Sequence, residues 1–85
     1  MMRYFFHTDD GRSFFDDEGL ALPSLRTAKI EAARLFGELV RDQPEEFWST
    51  GELTLTVTDE TRLVLFTLEV TANESAAAST CRSTR

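Results

Sequence analysis

Cysteine occurs once in the 85 residues, at Cys81, which excludes an intrachain disulfide framework. Histidine also occurs once, at His7. No apolar run approaches the roughly 20 residues of a membrane span. The opening stretch MMRYFFHTDD reaches acid before a signal-peptide apolar region develops. Basic residues are the minority, 9 against 15 acidic, for a net charge of −6. Glycines are scattered at 11, 19, 37 and 51, so no G-x-G-x-x-G or phosphate-binding loop exists. G-x-S-x-G, S-x-x-K and H-E-x-x-H are missing as well. These gaps predict a soluble, cytoplasmic, acidic protein with no cofactor, no metal site and no catalytic constellation.

What is present suffices for a small core: 41% of the residues are hydrophobic and 11% aromatic, so wholesale disorder is excluded. The length allows one domain. Residues 71–85, TANESAAASTCRSTR, contain no aromatic residue and no Leu, Ile or Val. Such a segment cannot bury enough apolar surface to offset its ordering entropy. The reading is therefore a compact domain over residues 1–70 and a flexible tail over 71–85. Residues 1–70 hold seven basic and fourteen acidic groups, net −7, so the body is more acidic than the whole chain.

Residues 2–8, MRYFFHT, are rich in aromatics and read as a strand. Asp10-Gly11 is a hairpin signal because glycine tolerates positive φ, and Ser13-Phe14-Phe15 pairs back. Asp16 to Pro23 reads as a loop. Ser24 is an N-cap candidate. From there to about Asp42 the residues Leu25, Ala28, Ala32, Leu35, Phe36 and Leu39 follow helical spacing. Pro44 to Gly51 reads as a connector. Residues 52–58, ELTLTVT, alternate as a strand, Asp59-Glu60 forms a turn, and Arg62 to Val70 is the last strand. The expected fold is α+β, in the order β-β-α-β-β. It is a four-stranded antiparallel sheet with one helix packed on one face. One helix covers one sheet face, which leaves an open face or edge for a partner.

Consecutive aromatics on a strand face opposite sides, so one of Phe5/Phe6 and one of Phe14/Phe15 points away from the helix. The candidate contact surface is Tyr4, Phe5, Phe14, Ile30, Phe47, Trp48, Leu63 and Leu65. Aromatics on a sheet also suit base stacking, but that needs adjacent cations, and a net −7 body repels phosphates. Nucleic acid is not an expected partner, and neither is a membrane. His7 lacks a nucleophile or orienting carboxylate in sequence and reads as a strand-end surface residue. Cys81 reads as a free surface thiol in the tail. Asp16-Asp17-Glu18-Gly19 is the densest acidic cluster, but contiguous acids do not match a calcium loop, so it reads as a solvated turn. The expected function is that of a non-catalytic protein-interaction module, self-associating as a homodimer through the open face or edge. The partner is otherwise unspecified.

The opening R-Y-F-F (Arg3 to Phe6), the Asp10-Gly11 turn, the stretch D-x-E-G-x-x-L-P-x-L-x-x-A (Asp16 to Ala28) and the closing D-E-x-R-L-V-L (Asp59 to Leu65) occur in one order and spacing. Together they resemble a family of short bacterial proteins classed as a domain of unknown function, over residues 3 to about 70. The resemblance implies no activity, cofactor or catalytic residue. Many relatives carry glycine in the last turn where this chain has Glu60-Thr61, which leaves the turn type open. Gly19, Leu22-Pro23 and the helix from Ser24 are also similar in topology to HicB-type antitoxin domains, here without a DNA-binding extension. That likeness implies the alternative function, an antitoxin-like or regulatory binder of a basic protein partner.

Overall fold

The computed structural model describes residues 1–80. Strands β1 (Met2–Asp9), β2 (Ser13–Phe14) and β3 (Leu20–Leu22) come first, followed by helices α1 (Leu25–Asp42) and α2 (Pro44–Thr50). Strands β4 (Glu52–Thr58) and β5 (Val64–Thr71) and a short helix α3 (Ala76–Thr80) complete the order. The sheet is antiparallel in the order β2-β1-β4-β5, with β3 also paired to β1. The α+β fold with one main helix is as the sequence predicts.

The register assigns the two faces. Phe6 opposes Val57, which opposes Phe66, and Thr8 opposes Leu55, which opposes Leu68. These rows face α1. Ala28 and Ala32, four apart on the helix, are fully buried and let the helix backbone approach the sheet closely. Tyr4, Phe6, Leu55 and Val57 complete the buried cluster, with Leu22, Leu35, Phe36 and Leu68 packed around it. The opposite rows, Phe5–Thr58–Val64 and His7–Thr56–Thr67, form the second face.

Ser24 caps α1 as expected: its Oγ accepts from the Thr27 amide at 3.2 Å. Gln43 donates its amide to the Leu39 carbonyl, and Pro44 then opens α2 where a connector was expected. The signals for α2 are all local. Pro44 stands in the first turn, Glu45 and Glu46 complement the helix dipole, and Gly51 closes it at φ 78°. Strand β3 also falls in the predicted loop. Its three residues are too few to show a period, and it exists because Met2–Tyr4 of β1 supplies partners.

The last hairpin resolves the turn type. Asp59 donates its amide to the Leu63 carbonyl, so Glu60, Thr61 and Arg62 form a three-residue loop. The left-handed residue is Arg62, at φ 71°, not Glu60 or Thr61. Asp59 Oδ1 accepts from the Thr61 hydroxyl at 2.7 Å and the Thr61 and Leu63 amides at 2.8 and 3.1 Å. These bonds, the Thr61 hydroxyl first, hold the Asp59 carboxyl below its ordinary range.

Strand β5 starts at Val64 rather than Arg62, and a bulge follows at once. Val57 pairs with Phe66 but Thr58 pairs with Val64, so Leu65 is the extra residue. The bulge turns Leu65 onto the core instead of the open face, which corrects its reading as a contact residue. Tyr4 is corrected too: at 3% exposure it belongs to the core, because it shares the helix side with Phe6. β5 runs to Thr71, and α3 follows within the segment read as a flexible tail. Cys81 lies outside the described residues.

Left-handed backbone costs a side-chain-bearing residue about 1 kcal/mol. Replacing Arg62 with glycine relieves this, offset by about 0.5 kcal/mol of unfolded-state entropy. Arg62→Gly is therefore expected to leave stability unchanged or raise it slightly in urea titrations. A loss above about 1 kcal/mol would show that the Arg62 side chain itself holds the turn.

Candidate functional site

Strand β2 pairs with Thr8 and Asp9 of β1, and β3 pairs with Met2 to Tyr4. Phe6 lies between these pairings, and its amide needs an acceptor. Asp16, on the loop joining β2 to β3, supplies one: its Oδ2 accepts from the Phe6 amide at 3.1 Å. Its Oδ1 accepts from the Glu18 and Gly19 amides, both at 3.1 Å. The Asp16 amide in turn donates to His7 Nδ1 at 3.1 Å. Burial raises the Asp16 carboxyl, but the Gly19, Phe6 and Glu18 amides and the His7 charge outweigh it, and the net shift is downward.

This bond also fixes the tautomer of His7. An Nδ1 that accepts an amide proton carries none, so the neutral ring holds its proton on Nε2. Nε2 then donates to Thr58 Oγ1 at 3.2 Å. Thr58 is buried at 7% exposure, so its hydroxyl has its partner in this ring. Phe15 lies over His7, tilted by 30° with centroids 4.5 Å apart, and Phe5 lies parallel to the His7 ring at 6.5 Å.

Gly19 seals the loop against β1. A Cβ there would meet Arg3 Cγ at 2.8 Å, a Phe5 ring carbon at 2.9 Å and the Tyr4 carbonyl oxygen at 2.9 Å. The backbone also has φ 72° at this position. The Arg3 guanidinium donates to the Glu18 carbonyl at 2.8 Å and ties the same loop from the other side. The acidic cluster is thus divided. Asp16 is structural, whereas Asp17 has no hydrogen-bond or ion-pair partner among the described residues.

The result is a groove of about 580 Å³ on the face away from α1. Phe5, His7, Phe15 and Val64 form its apolar floor, with Thr56 and Thr58 between. Its rims come from two sides of β1. Asp16 and Asp17 stand on the β2–β3 loop, and Asp59, Glu60 and Arg62 on the β4–β5 turn. Phe15 is 68% exposed and Val64 55%, so the floor is wet. Among the described residues no three His, Cys, Asp or Glu side chains gather as metal ligands would.

The sequence-predicted contact residues do not form one surface. Phe5 is in this groove, and Leu63 is exposed on the adjoining hairpin. Phe14, paired with Thr8, reaches the end of this groove and, with Phe47, Leu39 and Leu53, also lines a second cleft of about 370 Å³ on the helix side. The Arg12–Glu46 ion pair, at 3.8 Å, spans that cleft. Trp48 packs edge-on against Phe47 and is exposed, as is Ile30 on α1. His7, expected as a strand-end surface residue, instead has both ring nitrogens bonded, and Asp16, expected in a solvated turn, is bonded to three amides; Phe15 is the member of the Phe14/Phe15 pair that lies over His7. The parity of Phe5 and His7 on one strand was the available signal for the first of these; the Asp16 contacts have none in sequence.

A family model described as "Domain of unknown function (DUF6894)" matches residues 3–71. The chain belongs to this family. The matched span starts at Arg3, which ties the Glu18 carbonyl, and ends at Thr71, the last residue of β5. No curated protein and no solved structure shows significant similarity to the chain. Within the described residues no helix is long and apolar enough to cross a membrane.

Asp16→Ala removes the acceptor for three amides, at about 1 kcal/mol net per bond and less where water substitutes. It should cost about 2 kcal/mol in denaturant unfolding at neutral pH. The Asp16 carboxyl is lowered in the folded state, so its stabilisation is present above the unfolded value of about 4. It is lost as pH falls through the lower folded value. The wild-type protein should therefore lose more stability than Asp16→Asn between pH 5 and acid; parallel pH curves would refute this. Gly19→Ala, which drives a Cβ into the Tyr4 carbonyl at positive φ, should cost at least about 2 kcal/mol. Unchanged thermal unfolding would show that the loop moves away freely.

Proposed function

We propose that the protein is a small, acidic, cytoplasmic protein-interaction module without catalytic activity, and that it self-associates as a homodimer through the free edge of β5. The observation that carries this is the state of that edge. β5 is eight residues long and, among the described residues, pairs on one side only, with β4. Its helix-side residues Phe66, Leu68 and Val70 are only partly buried, whereas their cross-strand partners Val57, Leu55 and Leu53 are buried. The strand carries a single charge, Glu69, and no proline or lysine to blunt it. Pairing with the β5 of a second copy would extend the sheet and cover this apolar row. A domain of this size leaves much of its apolar surface wet, which favours such an assembly.

The state of His7 supports the non-catalytic reading. Both ring nitrogens are engaged, one by a backbone amide and the other by Thr58, so neither is offered to a substrate. The single cysteine fits a reducing compartment. The second reading, an antitoxin-like or regulatory binder of a basic protein partner, is favoured by the acidic rims of the open-face groove.

Sedimentation velocity tests the dimer. The wild-type chain should sediment as a dimer at high micromolar concentration. Val70→Lys, which points a charge inward at the end of the edge strand, should sediment as a monomer with unchanged far-ultraviolet circular dichroism. A wild-type monomer at that concentration would overturn the proposal, as would a Val70→Lys dimer.

A further inference from the structure

Deepening the basic-partner reading, on which it rests, we infer that the open-face groove is a docking site for an extended, basic segment of a partner protein. That segment presents arginine or lysine next to an apolar side chain. The floor accounts for the apolar part. Phe5, Phe15 and Val64 form a wet apolar strip, and no element of the described chain packs on this side of the sheet. Phe15 lies over the His7 ring, tilted by 30° with centroids 4.5 Å apart.

Charge complementarity identifies the occupant. The carboxylates on the rims fall into two classes. Asp9, Asp16 and Asp59 are consumed by loop amides and hydroxyls. Asp17 and Glu60 also line the groove, and neither has a hydrogen bond or ion-pair partner among the described residues. One stands on the β2–β3 loop and the other at the β4–β5 turn, on opposite sides of the aromatic strip. The one cation on the rim is Arg62. A partner cation on either side would therefore meet an unpaired carboxylate while its aliphatic stem lies over an aromatic face. The same field repels a phosphate backbone and an acidic peptide.

The segment would lie across β1 rather than along an edge, so it does not compete with β5 pairing. The site thus has a floor that reads apolar side chains and two rims that read positive charge. Neither property alone makes it selective; a basic segment without apolar residues forfeits the floor, and an apolar one forfeits the rims.

Fluorescence anisotropy with three short labelled peptides tests this: one alternating arginine and valine, one alternating arginine and serine, one alternating glutamate and valine. The arginine–valine peptide should bind the full-length chain most tightly, and the glutamate–valine peptide should not bind. Asp17→Asn with Glu60→Gln should weaken binding about fivefold, as two exposed charge pairs predict. Phe15→Ala should weaken it as well, and circular dichroism should be unchanged in both cases. The pair Glu38→Gln with Glu45→Gln, an equal charge change on the helices, should leave binding intact. If both pairs weaken binding equally, or if Phe15→Ala has no effect, the groove is not the site, although a basic partner still stands. If no basic peptide binds, the basic-partner reading fails together with the groove.

Discussion

The carboxylate of Asp16 holds the Phe6, Glu18 and Gly19 amides at once, while the Asp16 amide holds the ring of His7. This five-residue bridge between β2 and β3 crosses the stretch of β1 that neither short strand pairs. Without it the Phe6 amide would lack a partner, and β2 and β3 would each depend on two or three bridges to stay registered. Gly19 and Arg3 clamp the far end of the same loop. One acidic side chain thus turns two marginal strands into a continuous border for β1.

The open face inherits its form from that border. His7 is oriented by Asp16 and by Thr58 together, and Phe15 lies over the ring so placed. The groove is therefore formed by the packing of the fold and is not a gap left over from it. The helix side follows a different logic. Ala28 and Ala32 bring α1 close to Leu55 and Val57, and the larger residues ring this contact. The core is small, and the edge strand β5 contributes to it with residues that stay half exposed.

Much of the architecture is legible from residue order. The alternation of ELTLTVT places β4, the Ala and Leu spacing after Ser24 places α1, and Asp10-Gly11 marks the first turn. Other elements are missed for reasons that can be named. α2 carries ordinary capping signals within seven residues, too short for a hydrophobic period. β3 has no signal of its own because three residues owe their strand character to β1. Leu65 reverses its face because a bulge inserts one residue, and the period-two rule fails at that point.

The candidate site shows the same division. Sequence parity alone determines that Phe5 and Phe6 part to opposite faces, that one of Phe14 and Phe15 leaves the helix side, and that the body is acidic. Only the tertiary structure decides that Phe15, not Phe14, lies over His7. It alone separates Asp16, spent on amides, from Asp17, which has no partner among the described residues. The physical reason is that periodicity reports the direction of a side chain along its own strand. Hydrogen-bond satisfaction depends on which backbone groups from distant segments arrive without partners, and that is settled only when the sheet is assembled.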